Sequence, residues 1–248
     1  MPRVADRIAT PDGKARYVRS LFDTIADRYD LITVALSYGQ DRRWKRRLVD
    51  LALAATRPAV SALDLATGTG DIAFALAARG AHVVGLDITR RMVERAREKS
   101  RDVCSGISPA FLVGDMLALP FAAASFDVVT AGYGLRNMPD LTQAIDEIRR
   151  VLRPGGTMLS LDFNKPANWL VRETYLAYLS IVGGALGWFL HRDPDTYRYI
   201  PASIRQYPGA PSVARLLEAR GFERADYYPV LGGLMAIHVA TLSLSPEL

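Results

Sequence analysis

Hydrophobic and polar positions alternate in blocks from residue 60 onward. Short apolar runs, each long enough for a buried strand, are separated by longer stretches in which apolar residues recur at helical spacing. Such alternation is typical of parallel strands joined by crossover helices. The predicted strands are 60–66, 82–87, 110–113, 126–131 and 157–163, followed by two late strands at 222–230 and 235–242. The pattern therefore predicts an α/β fold.

Helices are predicted between these strands. They cover residues 71–78, 90–100, 141–152 and 212–220. The sequence Arg153-Pro154-Gly155-Gly156 follows the third of them and predicts its end, because proline and glycine disfavour continuation of a helix.

The chain before residue 60 has a helical pattern. Phe22, Ile25, Ala26 and Tyr29 recur at i, i+3, i+4 and i+7, which places them on one face of a helix. That face needs an apolar partner. The helix either docks on the sheet or forms a lid over a ligand site, and a lid would bring Tyr29 and Asp30 near a substrate.

The composition is that of a folded domain. Of 248 residues, 50% are hydrophobic and 23% are charged, which excludes disorder and allows a core that needs no disulfide or metal. Cys104 has no internal disulfide partner and the first residues lack a signal-peptide pattern, so we expect a cytoplasmic protein. Residues 174–191 carry no charge, but glycines interrupt them, and they match poorly the roughly 20 apolar residues of a spanning helix.

Basic residues are concentrated in two segments, 42–47 and 90–101, and the net charge is +5. These segments are either solvated helix faces or surfaces that attract the anionic headgroups of a membrane. No nucleic-acid-binding motif or interleaved aromatic platform accompanies the charge, so we do not expect a nucleic-acid partner.

A glycine-rich turn joins the first predicted strand to the first predicted helix. Gly68 and Gly70 allow the backbone to bend sharply and to approach a ligand at the helix N-terminus. With Ala73 they also satisfy the G-x-G-x-x-A pattern of dinucleotide-binding proteins. Asp87 ends the second strand, where a carboxylate can accept hydrogen bonds from a ribose. A dinucleotide and another nucleoside cofactor both remain open at this point.

Acidic residues around this turn favour a cationic ligand. Asp64 precedes the turn and Asp71 opens the helix, whereas a pyrophosphate is best held by a helix start free of negative charge. S-adenosylmethionine carries a sulfonium, an ammonium and a ribose, which suit Asp64, Asp71 and Asp87. After the third strand, Asp115 can accept from an adenine amino group, and Met116 can pack on its ring.

Five motifs in this order resemble those of class I S-adenosylmethionine-dependent methyltransferases. They are D-L-A-T-G-T-G-D, L-D-I, G-D-M, S-F-D-V-V and L-R-P-G-G, within residues 60–163. One departure is Ala66, which takes the first glycine position of the usual G-x-G-x-G. The resemblance implies a Rossmann-like α/β fold with a seven-stranded, mostly parallel sheet and helices on both faces. It also implies one domain, divided into a helical lid (1–56), a cofactor-binding core (57–163), an apolar helical insert on the substrate side (164–211) and the last helix and strands (212–248).

Further strings narrow the resemblance to one family. F-D-x-I-A-x-x-Y-D begins at Phe22, G-L-R-N at Gly134 and D-F-x-K-P at Asp162. With residues 197–203 and Pro208, they make the chain similar to the ubiquinone/menaquinone biosynthesis C-methyltransferases. That family methylates a ring carbon of a polyprenylated benzoquinol or naphthoquinol. The cofactor-binding residues expected here are Asp64, Gly68, Thr69, Gly70, Asp87, Ile88, Asp115, Met116 and Gly132.

Three residues are candidates for the chemistry, which requires no metal. Arg136 can stabilise a developing phenolate, or it can brace its loop through Asp140 or Asp30. Asn137 would orient the substrate oxygen or the loop, and Tyr29 would pass a proton or stack on the quinol ring. Each of the three histidines is expected to be structural or solvated, with His191 the best candidate base among them.

The substrate side is expected in the insert. A polar aromatic wall for the quinol head is one interpretation of Tyr197, Arg198, Tyr199, Arg205 and Tyr207, and a surface loop is the other. In the uncharged stretch, the residues expected to line a groove for the prenyl tail or to enter the membrane interface are Tyr175, Leu176, Leu179, Val182, Leu186 and Phe189. Packing of this stretch on the core is the alternative.

Several alternatives remain. The chain could methylate oxygen or nitrogen of another small molecule, or it could be a non-catalytic relative that binds the nucleoside. The sequence does not choose between benzoquinol and naphthoquinol. A homodimer and contact with the inner face of the cell membrane are further expectations.

Overall fold

A seven-stranded sheet forms the centre of the described part of the protein. The computed structural model describes residues 4–37, 39–54, 60–103 and 106–244. The strands are β1 Ser61–Leu65, β2 His82–Asp87, β3 Ala110–Val113, β4 Phe126–Gly132, β5 Leu152–Phe163, β6 Phe222–Val230 and β7 Met235–Leu242. Their order is β3-β2-β1-β4-β5-β7-β6, with β1 to β5 parallel and β7 antiparallel to both of its neighbours. The predicted α/β fold with a mostly parallel sheet is confirmed.

Helices cover both faces of this sheet. They are α1 Val4–Arg7, α2 Pro11–Ile25, α3 Tyr29–Leu36, α4 Asp41–Ala54, α5 Asp71–Ala77, α6 Arg90–Val103, α7 Leu141–Val151, α8 Trp169–His191, α9 Asp195–Gln206 and α10 Ala210–Ala219. Because side chains alternate across a strand, Leu63 belongs to a core with α7 and α10, whereas its neighbour Ala62 belongs to a second core with α4, α5 and α6. The side chains of both cores are buried, and their packing positions the carboxyl ends of β1, β2 and β4.

The fifth strand begins earlier than predicted. Helix α7 ends at Val151, as the Pro-Gly-Gly sequence indicated, but β5 starts directly at Leu152. Phe126 pairs with Leu152 and Val128 with Thr157, so the intervening residues bulge out of the ladder. Gly155 has a φ of +75°, which allows this bulge.

The N-terminal segment is not the single helix that its periodicity predicted. A 3₁₀ turn at Ala26–Arg28 ends α2, and Tyr29 begins α3. The rings of Phe22 and Tyr29 still meet, with centroids 6.2 Å apart, because the turn keeps both side chains on the inner side. Lys14 of α2 donates to the carbonyl oxygens of Arg136 (2.9 Å) and Met138 (2.8 Å). These bonds attach the N-terminal helices to the turn that follows β4.

The uncharged stretch lies in α8, which packs on α9 through its small residues. A Cβ at Gly183 would lie 3.1 Å from the Cβ of Tyr197, and one at Gly187 would overlap the backbone at Asp193. The glycines therefore permit close packing of two helices. Within the described ranges, no helix is long and apolar enough to cross a membrane.

Candidate functional site

The glycine-rich turn after β1 uses the left-handed backbone conformation three times. Ala66 has a φ of +48°, Gly68 of +56° and Gly70 of +89°. A Cβ at Gly70 would lie within 3 Å of both Phe74 and Phe111, so only glycine fits there. At Gly68 the nearest atom would be Cε1 of Tyr29, 3.6 Å away. The backbone at Gly68 therefore faces open space.

That space is a cavity at the carboxyl ends of the strands, which we call the acidic cavity. Its volume, including the part that is open to solvent, is about 800 Å³. The predicted residues that line it are Gly68, Asp87, Ile88, Asp115, Met116 and Gly132, together with Tyr29 and Asn137. A cavity at this edge is the usual ligand position of an open parallel sheet.

Asp87 fixes the floor of the acidic cavity. One carboxylate oxygen accepts from the backbone N–H of Thr89 (2.8 Å) and the other from that of Gly68 (2.9 Å). Burial raises the pKa of Asp87, and these two backbone donors act against that shift. Each oxygen keeps a further lone pair, so the carboxylate can still accept from a ligand hydroxyl.

Asp115 and Met116 lie beside each other on the wall of this cavity. One carboxylate oxygen of Asp115 accepts from the N–H of Leu117 at 2.9 Å, and Met116 is buried with its side chain in the lining. An acceptor next to a flat apolar contact suits a heteroaromatic ring with an exocyclic amino group.

Three predicted cofactor residues are not among the described residues that line the acidic cavity. Asp64 accepts from the hydroxyls of Thr67 (2.6 Å) and Thr130 (2.7 Å), and its burial raises its pKa to about 6. Thr69 donates to Asp30 at 2.6 Å. Gly70 supplies the bend, as described above.

Asp71 presents its charge to lysines. Its carboxylate lies 2.9 Å from Nζ of Lys45 and also contacts Nζ of Lys99. Burial alone would raise the pKa of Asp71, but the two ammonium groups lower it to about 2. Its negative charge is therefore compensated within the protein, which was not foreseen from its position at the helix start.

A second cavity adjoins the first, and we call it the apolar cavity. Its volume, including the part that is open to solvent, is about 760 Å³. Its lining consists mainly of aliphatic and aromatic side chains from the N-terminal helices, α8, α9 and the strand ends. Phe22, Tyr29 and Tyr133 line both cavities. A ligand in the apolar cavity would therefore meet a ligand of the acidic cavity across these three rings.

Arg136 lines the apolar cavity and is buried. Its Nε donates to Oδ1 of Asp162 at 3.1 Å, its backbone N–H to Oδ2 at 3.0 Å, and Nη1 contacts the hydroxyl of Ser203. The guanidinium also lies 5.0 Å from the ring centroid of Phe163. The brace predicted with Asp140 or Asp30 is thus formed with Asp162 instead, because β5 lies next to β4.

Asn137 holds the turn rather than pointing freely into a cavity. Its Nδ2 donates to the carbonyl of Tyr133 at 2.7 Å, and its Oδ1 accepts from the hydroxyl of Tyr199 at 2.9 Å. Tyr29 faces both cavities, and burial raises its pKa to about 12, so it keeps its proton at neutral pH. The three candidates are therefore gathered around the junction of the cavities.

The aromatic wall is formed in part. Tyr197 and Tyr199 line the apolar cavity. Arg198 pairs with Asp195 and Arg205 with Glu173, both at the surface, and Tyr207 is buried away from the cavity lining. Nε2 of His191 and the hydroxyl of Tyr197 share a hydrogen bond of 2.9 Å. His191 does not itself line the apolar cavity.

Sequence reasoning missed Lys14, Asp41 and Tyr133. Tyr133 lies directly after β4, a position that could have drawn attention because ligands bind beyond strand ends. Lys14 and Asp41 reach the site from helices far away in the chain, Asp41 by accepting from the hydroxyl of Tyr133 at 2.6 Å. Their side chains carry no local pattern that indicates this placement.

Several solved structures that share this fold are methyltransferases. The chain superposes on magnesium protoporphyrin IX methyltransferase from Synechocystis, solved with bound S-adenosylmethionine, with a TM-score of 0.64 at 19% identity, covering 93% of this chain and 97% of that one. A methyltransferase in complex with its Trm112 activator from Haloferax volcanii gives a TM-score of 0.62 at 19% identity, covering 90% and 97%. The fold is that of the S-adenosylmethionine-dependent methyltransferases.

Sequence relatives define the family within this class. The model of the ubiE/COQ5 methyltransferase family matches residues 10–242, and the chain belongs to that family. It is 41% identical to a demethylmenaquinone methyltransferase of Thermus thermophilus, covering 88% of this chain and 98% of the relative. It is 36% identical to a ubiquinone/menaquinone biosynthesis C-methyltransferase of Shewanella frigidimarina, covering 92% and 91%.

Proposed function

We propose that the protein transfers a methyl group from S-adenosylmethionine to a ring carbon of a polyprenylated quinol, either demethylmenaquinol or 2-polyprenyl-6-methoxy-1,4-benzoquinol. The observation that carries this proposal is the pair of adjoining cavities. One has the acceptors that a nucleoside needs, and the other is apolar with a buried guanidinium in its wall. Family membership supports the same reaction.

The residues of the acidic cavity fit the cofactor. Asp87 would accept from the ribose hydroxyls, Asp115 from the adenine amino group, and Met116 and Ile88 would pack on the ring. The missing Cβ of Gly68 leaves room for the ligand beside the turn. When bound, S-adenosylmethionine supplies an electrophilic methyl group. Asp64, Thr69 and Gly70 act here through the shape of the turn.

Arg136 would stabilise the substrate oxygen, and Asn137 would hold the turn around it. Attack by a ring carbon requires that a neighbouring hydroxyl lose its proton, and the resulting phenolate needs a positive donor. Arg136 is held in the wall of the apolar cavity by Asp162 and so is preorganised for this role. Asn137 positions Tyr199 and the turn, and Tyr29 stacks near the quinol ring at the junction.

Labelled methyl transfer tests this function. The purified protein, S-adenosylmethionine labelled in its methyl group and each of the two quinols would be incubated under reducing conditions, and the product examined by NMR. We expect the label in a methyl group on a ring carbon. Label in a methyl ether or an amine, or no transfer by folded protein that binds the cofactor, would contradict the proposal.

Helix α8 offers a surface for contact with a membrane. Leu170, Tyr178, Ile181 and Trp188 recur at helical spacing and are exposed, and we call them the exposed stripe. Tyr175 of the same helix lines the apolar cavity. Leu176 and Leu179, which were expected to reach a tail or a membrane, are buried against Ile204 instead. We infer that the exposed stripe enters the interface of an anionic membrane while the quinol passes to the cavity.

Vesicle binding tests the stripe. The double variant Ile181→Asp/Trp188→Asp should lose binding to vesicles of phosphatidylcholine mixed with phosphatidylglycerol. Ile107→Asp is a matched control, because Ile107 is also exposed but lies outside the insert. Equal binding by the double variant and the control would exclude the stripe as the contact.

The expected homodimer stays a prediction, which sedimentation of the protein can examine.

A further inference from the structure

Tyr133 occupies a special position between the two cavities. It follows β4 directly, lines both cavities and has a φ of +58°, in the left-handed region that a bulky residue rarely adopts. Its hydroxyl donates to Oδ1 of Asp41 at 2.6 Å. The strained backbone therefore directs a phenol to the place where the two ligands would meet, with a carboxylate behind it.

Asp41 connects this phenol to the outside of the protein. It is the first residue of α4 and only 2% exposed. Its second oxygen lies 2.7 Å from Nζ of Lys45. Asp41 also lines a surface cleft between α4 and α5, which we call the charged cleft and which Lys45, Asp71 and Lys99 line as well. One oxygen of the Asp41 carboxylate thus accepts from the buried phenol, and the other contacts a lysine of the charged cleft.

We propose that Tyr133 and Asp41 carry away the proton that the quinol hydroxyl must lose before its ring carbon can be methylated. This inference rests on the proposed function. The quinol O–H bond breaks and its proton goes to Oη of Tyr133, while the proton of Tyr133 passes to Oδ1 of Asp41. The electron pair stays on the quinol oxygen as a phenolate, and Asp41 then releases its proton to water in the charged cleft.

The contacts of Asp41 suit a group through which a proton passes. Lys45 is held between Asp41 and Asp71, so Oδ2 of Asp41 is paired with an ammonium group while Oδ1 accepts from Tyr133. The phenolate itself is stabilised elsewhere, by Arg136 and the positive charge of the cofactor. The relay supplies a path for the proton out of a cavity whose lining is mostly apolar.

The described lining of the apolar cavity offers rivals to Tyr133. Tyr29 lines both cavities as well, but among the described residues no carboxylate accepts from its hydroxyl. No carboxylate or histidine belongs to that lining, which leaves hydroxyl groups as first acceptors. Tyr197 contacts His191 at 2.9 Å and could pass a proton to it. Tyr197 does not line the acidic cavity, however, whereas Tyr133 does. The reacting carbon must face the cofactor, so the hydroxyl next to it is nearer to Tyr133.

The test compares quinols of different acidity. Tyr133→Phe and Asp41→Asn should lower kcat about 10²-fold or more with a short-tailed demethylmenaquinol, as expected for loss of general base catalysis. With a ring-halogenated analogue, whose hydroxyl ionises more easily, the loss should shrink to a few-fold. The double variant should lose no more than Tyr133→Phe alone, and Asp41→Glu should restore part of the rate.

Controls separate this role from a structural one. Tyr207→Phe removes another buried tyrosine hydroxyl outside both cavities and should leave kcat unchanged. Asp41→Asn should fold, because Lys45 keeps Asp71, and both variants should bind S-adenosylhomocysteine in calorimetry as the wild type does. An equal loss of kcat with both quinols, or an acidity-dependent loss in Tyr197→Phe instead, would overturn the relay. A wild-type protein that methylates neither quinol would refute the proposed function itself.

Discussion

Arg136 and Asp162 form a buried ion pair that joins two neighbouring strands at the site. Nε of Arg136 lies 3.1 Å from Oδ1 of Asp162, and the backbone N–H of the same arginine donates to Oδ2 at 3.0 Å. The two side chains are 4% and 2% exposed. Asp162 lies near the end of β5 and Arg136 in the turn after β4, so the pair fixes the guanidinium against the apolar cavity.

Replacing Arg136 should separate turnover from cofactor binding. In Arg136→Ala we expect kcat to fall about 10²- to 10³-fold, the usual effect of losing one donor to a developing oxyanion. The affinity for S-adenosylmethionine should stay nearly intact, because Arg136 is outside the acidic cavity lining. The free energy of unfolding should drop by about 3–5 kcal/mol, since Asp162 is left charged and buried. Labelled transfer, calorimetry and urea unfolding measure the three quantities.

A matched variant separates the effect of the guanidinium on turnover from the effect of the ion pair on stability. Asp162→Asn also weakens the ion pair but keeps Arg136 in the cavity wall, so it should retain far more turnover than Arg136→Ala at a comparable cost in unfolding free energy. If cofactor affinity fell together with kcat in Arg136→Ala, Arg136 would not be a residue of the chemical step.

Asp87 should govern cofactor affinity. In Asp87→Asn the carboxylate loses its charge and one of its two acceptor oxygens, while Gly68 and Thr89 both need an acceptor. We expect the Kd for S-adenosylmethionine to rise about 10- to 100-fold, equivalent to losing a charge-assisted hydrogen bond. Asp64→Asn is the control for calorimetry, because the Asp64 carboxylate faces Thr67 and Thr130. An equal rise in both variants would mean that the turn, and not the Asp87 carboxylate, determines affinity.

Asp64 should make stability fall as the pH rises. Burial raises its pKa to about 6, compared with about 3.9 in an unfolded chain. The folded protein therefore holds this proton more tightly, and the resulting stabilisation is present below pH 4 and lost between about pH 4 and 6. The expected loss is about 3 kcal/mol. Urea unfolding of wild type and Asp64→Asn across this range measures it, and a pH-independent difference between them would contradict the raised pKa.

The positions of the strands and of the glycine-rich turn follow closely from the sequence pattern. Alternation of apolar and helical segments predicted all seven strands, and Gly68, Asp87, Asp115 and Met116 lie where motif spacing placed them because each lies at a strand end or just after one. The predicted start of β5 was wrong because pairing with neighbouring strands overrides the local preference of its residues. Pro154-Gly155-Gly156 is a bulge within β5, held by pairing on both sides, although its composition indicates a break.

The burial of the α8 side chains and the partners of Arg136 and Tyr133 could not be predicted from the sequence. Leu176 and Leu179 look the same in sequence as the exposed Ile181, and only the packing of α8 on α9 decides which of them meets solvent. The partner of Arg136 is equally hidden, because it depends on which strand lies beside β4. Tyr133 and Asp41 are 92 positions apart, and their contact is a consequence of where α4 docks.

Lys14 should hold α2 on the turn that contains Asn137. Its ammonium donates to the carbonyls of Arg136 and Met138, and burial together with the nearby Arg136 lowers its pKa to about 8. Lys14→Met keeps the aliphatic stem and removes both bonds, so we expect a loss of about 1–3 kcal/mol in unfolding free energy. Amide exchange should also become faster in residues 136–138. Lys165→Met is the control, since Lys165 donates to one carbonyl, that of Arg205, within the insert. Unchanged exchange in 136–138 would show that other contacts hold the turn.

Ala66 should be a site where glycine stabilises the protein. Its φ of +48° is left-handed, which costs a residue with a Cβ about 1–2 kcal/mol. Glycine removes that strain but has more freedom in the unfolded chain, so Ala66→Gly should raise the unfolding free energy by roughly 0.5–1 kcal/mol. Ala75→Gly, within right-handed α5, should lower it by about 1 kcal/mol. Because Ala66 also lines the acidic cavity, calorimetry should show whether the lost methyl alters cofactor affinity. If urea unfolding showed Ala66→Gly to be destabilised like Ala75→Gly, packing of the Ala66 methyl would outweigh its backbone strain.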